Sequence, residues 1–418
     1  MTFSSLILAL AVSHAPHTCG ADCDWRADLP PNVHAVIQKV DDQKAADQKV
    51  DEKAEKAKKQ HEKDVQDDIK MGDEYAKEVD KELKPSENKE FIEKVAKIGK
   101  ELGDIANEEN PEVSWGDPRH SVFPYKFKVV KGDDVNAFSI PGGNLYVFEG
   151  LINFAESDDE LAGVLAHEVA HAAFRHVAWM RKSSSKLDLL QIPLLIISIM
   201  AAGGDAGAVA QAGLYGTQAA KSGWSQKAET SADYGALQYM SKSHYNPVGV
   251  LTLMERLAYK ERANAQIDWG IFRTHPPSPE RANFILKKLV ELNIPVRRSQ
   301  VTKSLSASTK IGPDGIDLWF GTIRLYTFRG ENAIERSEIA EERVNRFLDG
   351  VPALYELSRD VYKLKGNNRE LFEVKQDDLL VDEDLDSIFK ATQSRIQSVM
   401  FDLSTRLWPR PDLNVDKF

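Results

Sequence analysis

The chain has 418 residues, enough for more than one folded unit, because single hydrophobic cores usually stop growing below this length. Apolar residues make up 42% and charged residues 28%, which excludes a disordered or multi-spanning membrane protein. The formal net charge of -11 argues against a nucleic-acid partner, since phosphate backbones are met by clustered basic surfaces.

The chain opens on an apolar stretch, Met1 to Val12, that runs into small residues such as Ser13 and Ala15. This predicts an export signal over residues 1–15 and a secreted or periplasmic protein. No Lys or Arg precedes the stretch, which leaves a buried N-terminal helix turn open. Cys19 and Cys23 are the only cysteines, so no disulfide framework or cysteine metal site staples the main body.

Residues 25–84 read as a charged helical segment. Between 34 and 84 Lys, Asp, Glu, Gln and Ala dominate, with sparse apolar positions such as Val40, Val50, Val65, Ile69 and Val79. That pattern predicts a solvated helix or pair of helices. From Phe91 the spacing of Phe91, Val95, Ile98 and Leu102 predicts an amphipathic helix with a buried face. Strand-like alternation follows at 125–130, 135–140 and 144–148, punctuated by Gly132-Asp133 and Pro141-Gly142-Gly143, which predicts a small antiparallel sheet. Ser157 and Glu160 have the spacing of a capping box for a helix whose apolar face carries Leu161, Val164, Leu165 and Val169.

Residues 187–202 are the most apolar run, but Asp188, Gln191 and Pro193 leave fewer than the roughly twenty apolar residues a spanning helix needs. Two readings stand: a hairpin packed in the interior, or peripheral contact with a membrane surface. Helices are predicted over 225–240, 246–260 and 278–292. After about residue 300 the texture changes to strands at 316–327, a helix at 337–348, short strands at 361–381 and a helix at 385–407. Residues 301–418 are thus expected to form a small accessory α+β unit that scaffolds or docks a protein partner.

The chemistry concentrates in His167-Glu168-Val169-Ala170-His171. Residues four apart share a helix face, so both imidazoles can reach one ion at about 2.0 to 2.1 Å. Glu168, rotated about a hundred degrees away, suits a general base serving a water beside that ion. A hydrolytic zinc site needs a third protein ligand and an open position. Glu229 is the best candidate, because Ala228, Ala232, Gly235 and Ala236 give its helix a small-residue face that permits close approach. Asp233, one turn on, then reaches the outer N–H of a ligand imidazole.

HEVAH, the segment Ser225 to Asp233 and the segment Thr274 to Arg281 together resemble metallopeptidase family forty-eight. That family of zinc gluzincins includes CAAX prenyl, HtpX, Oma-type and BepA-type endopeptidases. The resemblance runs from about Ile69 to Leu292, including Met71-Gly72 and the stretch Asn136 to Gly143 that leads into an edge strand. It implies one zinc ion per chain held by His167, His171 and Glu229, with Glu168 as catalytic base. The integral members carry spanning helices that this chain lacks in sequence, so the soluble exported type is the closer match.

The fold expected is mainly helical α+β: a zincin-like core over residues 85–300 with a small antiparallel sheet, followed by the C-terminal unit. The expected function is a zinc-dependent endopeptidase acting on misfolded or membrane-associated envelope proteins, with no covalent acyl-enzyme. Asn144, Leu145 and Tyr146 are expected to offer a substrate an edge for strand addition. His275 is expected to stabilise the oxyanion and Arg281 to anchor its loop. The competing class is a chaperone-like binding protein using the charged helix and the C-terminal unit.

Overall fold

The computed structural model describes residues 31–183, 223–263, 270–271, 275 and 278–407. The expected export signal, both cysteines and the apolar run 187–202 lie outside the described residues. The chain divides into two compact units, Met1–Asp64 and Val65–Phe418, and helix α1 (Pro31–Glu82) runs through the division.

In the first unit α1 has little to bury: Val36, Val40 and Val50 are exposed. Side-chain amides instead donate to carboxylates one turn on, Gln38 to Asp42 and Gln43 to Asp47 at 2.9 Å and Gln60 to Asp64 at 2.8 Å. Each such pair stabilises a helix by about 0.2–0.5 kcal/mol, so this stretch rests on propensity and local polar bonds.

In the second unit α1 acquires a buried stripe at Val65, Ala76 and Val79. Asn88 then caps α2 (Lys89–Glu108) by accepting from the Phe91 amide, and Val95, Ile98 and Leu102 turn inward. A three-stranded sheet follows: β1 (Lys126–Val130), β2 (Ala137–Ile140) and β3 (Asn144–Phe148), in the order β1-β3-β2. The tight turn Pro141–Gly143 folds β2 and β3 into an antiparallel hairpin, and β1 joins the other edge of β3 in parallel. Gly142 sits at φ +80°, where a Cβ would stand 2.7 Å from the Ile69 Cα; only glycine lets α1 cross the turn so closely.

One expectation is overturned here. Asn144, Leu145 and Tyr146 belong to the central strand, paired on both sides and wholly buried, so they have no free backbone edge for a substrate. Pleating sends Leu145 and Val147 toward the helices below, and Tyr146 and Phe148 toward α1. The Tyr146 hydroxyl donates to Asp80 at 2.9 Å.

The described residues of this half also form helices α3 (Glu149–Phe154), α4 (Asp158–Ala173), α5 (His176–Ser183), α6 (Gly223–Met240), α7 (Val248–Ala263) and α8 (Pro279–Glu291). Helix α4 is buried on almost every side, packed against α2, the sheet, α6 and α7. Small residues make this crowding feasible: a Cβ on Gly163 would meet the Val250 amide at 3.0 Å, and one on Gly235 the Ala170 methyl at 2.7 Å. The core centres on Val147, Leu161, Leu165, Leu237, Leu251 and Ile285.

The C-terminal half builds a second core around Leu318, Phe328, Val344, Leu364, Phe389 and Met400. Its elements are an antiparallel sheet of β4 (Ala307–Ile311), β5 (Ile316–Phe320) and β6 (Ile323–Phe328), helix α9 (Ala333–Leu348), a second antiparallel sheet of β7 (Leu357–Asp360), β8 (Lys363–Gly366) and β9 (Arg369–Glu373), and helix α10 (Leu385–Arg406). β4 escapes sequence reading because the polar run Ser308, Thr309 and Lys310 shows no apolar alternation; backbone pairing with β5 makes it a strand. The whole is the mainly helical α+β fold expected.

A buried polar joint links the two cores. Arg298, 1% exposed, donates to both Glu255 carboxylate oxygens of α7 at 2.8 and 2.6 Å and to the Asp349 carbonyl at 3.0 Å. Thr302 donates to Glu160 of α4 at 2.8 Å. Removing one partner of a buried ion pair strands the other charge away from water. Arg298→Ala is therefore expected to lower stability by about 3–5 kcal/mol in denaturant unfolding, and Glu255→Ala by a similar amount. Additive losses in the double variant would show that the two groups act independently.

Candidate metal centre

Helix α4 starts where Ser157 Oγ accepts from the Glu160 amide at 3.1 Å, with Asp158, Asp159 and Glu160 in its first turn. Only half of the expected capping box forms: the Glu160 carboxylate turns to Arg256, to Thr302 and to the Glu156 amide. Three turns on, His167 and His171 bring their Nε2 atoms to 3.0 Å of each other. Helix α6 delivers Glu229, with Oε2 3.3 Å from His167 Nε2 and Oε1 3.4 Å from His171 Nε2. His275 adds Nδ1, 3.4 Å from His167 Nε2 and 3.0 Å from Glu229 Oε2.

These four residues offer donor atoms within 4.8 Å of one another. Four ligands about 2.0–2.1 Å from a tetrahedral zinc stand about 3.3 Å apart, which the spacings above approach. The donor set, imidazole nitrogens and one carboxylate, is also the chemistry zinc takes. Zinc therefore fits these residues.

A further ring of contacts aims the donors. His167 Nδ1 lies 3.0 Å from Asp233 Oδ1, so its Nε2 faces the cluster. Arg281 from α8 holds Asp233 through two bonds of 2.8 Å and reaches Glu229 Oε2 at 3.1 Å. Arg281 thus grips the carboxylates of α6, a larger task than anchoring a loop. His275 sits closer to the cluster than expected: its Nδ1 lies among the possible donors and its Nε2 3.2 Å from Glu168 Oε1, so both ring nitrogens face cluster groups. Glu168 is 2% exposed, and its Oε2 has no hydrogen-bond partner. A buried carboxylate oxygen left so is costly unless water or substrate meets it.

Electrostatics follow from this packing. Burial opposes charge on His167, yet the carboxylates of Asp233 and Glu229 outweigh it and push its pKa up to about 9. Burial also works against the Glu229 and Asp233 anions, but the neighbouring imidazoles and Arg281 hold Glu229 well below the carboxylate range, and Arg281 and His167 hold Asp233 below it. Burial pushes His171 down and His176 well below the usual imidazole value.

Sequence reading thus anticipated His167, Glu168, His171, Glu229, Asp233, His275 and Arg281, which converge, and Asn144, Leu145 and Tyr146, which do not. It did not single out His176, whose side chain is buried with Nδ1 2.9 Å from His171 Nδ1. Beside the cluster opens a pocket whose apolar wall is Val164, Val250, Leu253, Met254, Leu257 and Ile271.

Comparison with known proteins agrees with this geometry. Residues 114–289 match the model described as Peptidase family M48. The mitochondrial metalloendopeptidase OMA1 of Schizosaccharomyces pombe is 32% identical over 172 residues, 41% of this chain and 48% of the relative. The Beta-barrel assembly-enhancing protease of Escherichia coli K12 is 30% identical over 156 residues, 37% of this chain and 32% of the relative. Metalloprotease LoiP of the same strain is 28% identical over 204 residues, 48% of this chain and 72% of the relative. The chain spans half or less of the length of the first two relatives. The match covers α4, α6 and α8, so the resemblance to Peptidase family M48 falls on the helices that carry the convergent cluster.

Proposed function

We propose that the protein is a zinc-dependent endopeptidase in which His167, His171 and Glu229 hold one metal ion and Glu168 is the general base. The observation that carries this reading is the unpartnered Oε2 of Glu168, buried beside a tetrahedrally spaced donor set. Zinc bound there supplies Lewis acidity, polarising a scissile carbonyl and making water a nucleophile at neutral pH. Glu168 takes the proton of the attacking water and delivers it to the leaving amine. Asp233 and Arg281 keep His167 oriented and Glu229 ionised throughout. The His275 ring lies between Glu168 and Glu229, so it must withdraw before a peptide can approach.

The substrates are proteins or peptides. The apolar wall from Val164 to Ile271 suits a large aliphatic residue next to the scissile bond, the kind that misfolded or membrane-associated chains expose. Among the described residues β2 pairs on one side only, so it replaces β3 as the edge where an extended peptide adds. We place the protein at the cell envelope, exported; one relative's name ties it to β-barrel assembly. No helix among the described residues is long and apolar enough to cross a membrane. Residues 85–300 are proposed as the peptidase domain, 25–84 as a charged helical extension and 301–418 as an accessory domain for a protein partner.

Zinc titration by calorimetry tests the site. His167 is protonated below about pH 9 in the metal-free protein, whereas Glu229 is already ionised and His171 neutral, so binding displaces one proton at pH 7.5. Affinity then rises about tenfold per pH unit up to about pH 9. The expected result is one zinc per chain and one proton released, with Glu229→Ala binding far more weakly. A wild-type protein that takes up no zinc overturns the assignment.

A further inference from the structure

We infer that His176 is a positioning residue for His171, fixing which nitrogen His171 presents to the ion; this rests on the metal-site reading above. In an uninterrupted helix residues five apart lie on different faces, so His176 would point away from His171. The chain avoids this at Arg175, whose φ of +52° ends α4 and starts α5 on a new axis. Such a conformation is uncommon for a non-glycine residue and needs support from its surroundings. Support comes from two buried carboxylates: Arg175 donates through Nε to Asp68 of α1 at 2.6 Å and through Nη1 to Asp117 at 2.7 Å.

The same turn is stitched to residues 115–117. The Asp117 amide donates to the Phe174 carbonyl at 2.8 Å. Gly116 lies so close that a Cβ there would stand 2.7 Å from the Phe174 oxygen and 3.0 Å from His176 Cδ2. His176 Nε2 then lies 2.9 Å from the Trp115 carbonyl, which Ser231 of α6 also engages at 2.8 Å. A carbonyl only accepts, so Nε2 carries the hydrogen and Nδ1 of neutral His176 is left as an acceptor. Facing it at 2.9 Å is His171 Nδ1, which must therefore be the donor. His171 is thereby held in the tautomer whose Nε2 lone pair points at the donor cluster. The two histidines of HEVAH are thus oriented by different partners, His167 by a carboxylate and His171 by an imidazole.

The test uses two amides, each reproducing one ring nitrogen. His176→Asn keeps an acceptor at the Nδ1 position and loses the donor toward Trp115; His176→Gln keeps that donor and loses the acceptor. Zinc affinity is measured on the full chain by competition with a chromophoric chelator, and the cobalt-substituted absorption spectrum reports ligand geometry. Thermal melting of the metal-free proteins verifies that both variants fold. His176→Gln is expected to lose about 10- to 100-fold in zinc affinity and to shift the cobalt bands, while His176→Asn stays within about threefold of wild type with its bands in place. Wild-type affinity in His176→Gln, or equal losses in both variants, overturns the proposal while leaving the metal site intact. A wild-type protein that binds neither metal overturns both.

Discussion

Glu168→Gln is expected to keep one zinc per chain and to lower kcat on casein or a fluorogenic peptide by two to four orders of magnitude, about the worth of a positioned general base. The amide has nearly the size and shape of the carboxylate, so the cavity beside His167 stays filled. It can still meet His275 Nε2, which lies 3.2 Å from Glu168 Oε1. It cannot accept a proton from water at neutral pH. Because chemistry and not binding is removed, the loss should fall on kcat with KM nearly unchanged. Zinc content is measured in the same preparation, so a fall in activity with metal in place separates Glu168 from the ligands. Activity within tenfold of wild type would remove Glu168 from the proton path.

Arg281→Ala is expected to produce the second large effect, in stability and its dependence on metal. Arg281 is 3% exposed and neutralises two buried carboxylates, Asp233 at 2.8 Å and Glu229 at 3.1 Å. Without it those anions share a dry pocket whose cations are imidazoles that zinc binding requires to be neutral. Breaking such a network costs about 3–5 kcal/mol. Zinc returns part of the missing positive charge, so the metal-free variant should melt well below wild type and recover when zinc is added, by more than wild type gains. Arg281→Lys should rescue little, because one ammonium cannot reproduce the paired bonds to Asp233. Equal zinc-induced shifts in variant and wild type would show that Arg281 serves the helix start and not the metal centre.

Residues whose relations are local were legible in the sequence. His167, Glu168 and His171 share one helix, and their mutual placement follows from 3.6 residues per turn whatever surrounds them. Glu229 and Asp233 were legible by a second local relation, since the alanines and glycine beside them mark a face built for close approach, and Gly235 does meet Ala170. The strand segments could be read from alternation, but their order could not. Whether β3 is an edge depends on where β1 docks, a contact that alternation within one strand does not encode, and so Asn144, Leu145 and Tyr146 were misread.

The sequence by itself determined the shared face of His167 and His171 on α4, the approach of α6 and the mainly helical α+β class, because helix periodicity and side-chain size act over a few residues. Only the tertiary structure decided how distant groups surround that face: His275 between Glu168 and Glu229, Arg281 across Asp233 and Glu229, and His176 behind His171. His176 illustrates the reason. Its role needs a left-handed backbone at Arg175, and that conformation persists because Asp68 and Asp117, separated from it by 107 and 58 residues, hold the guanidinium in place.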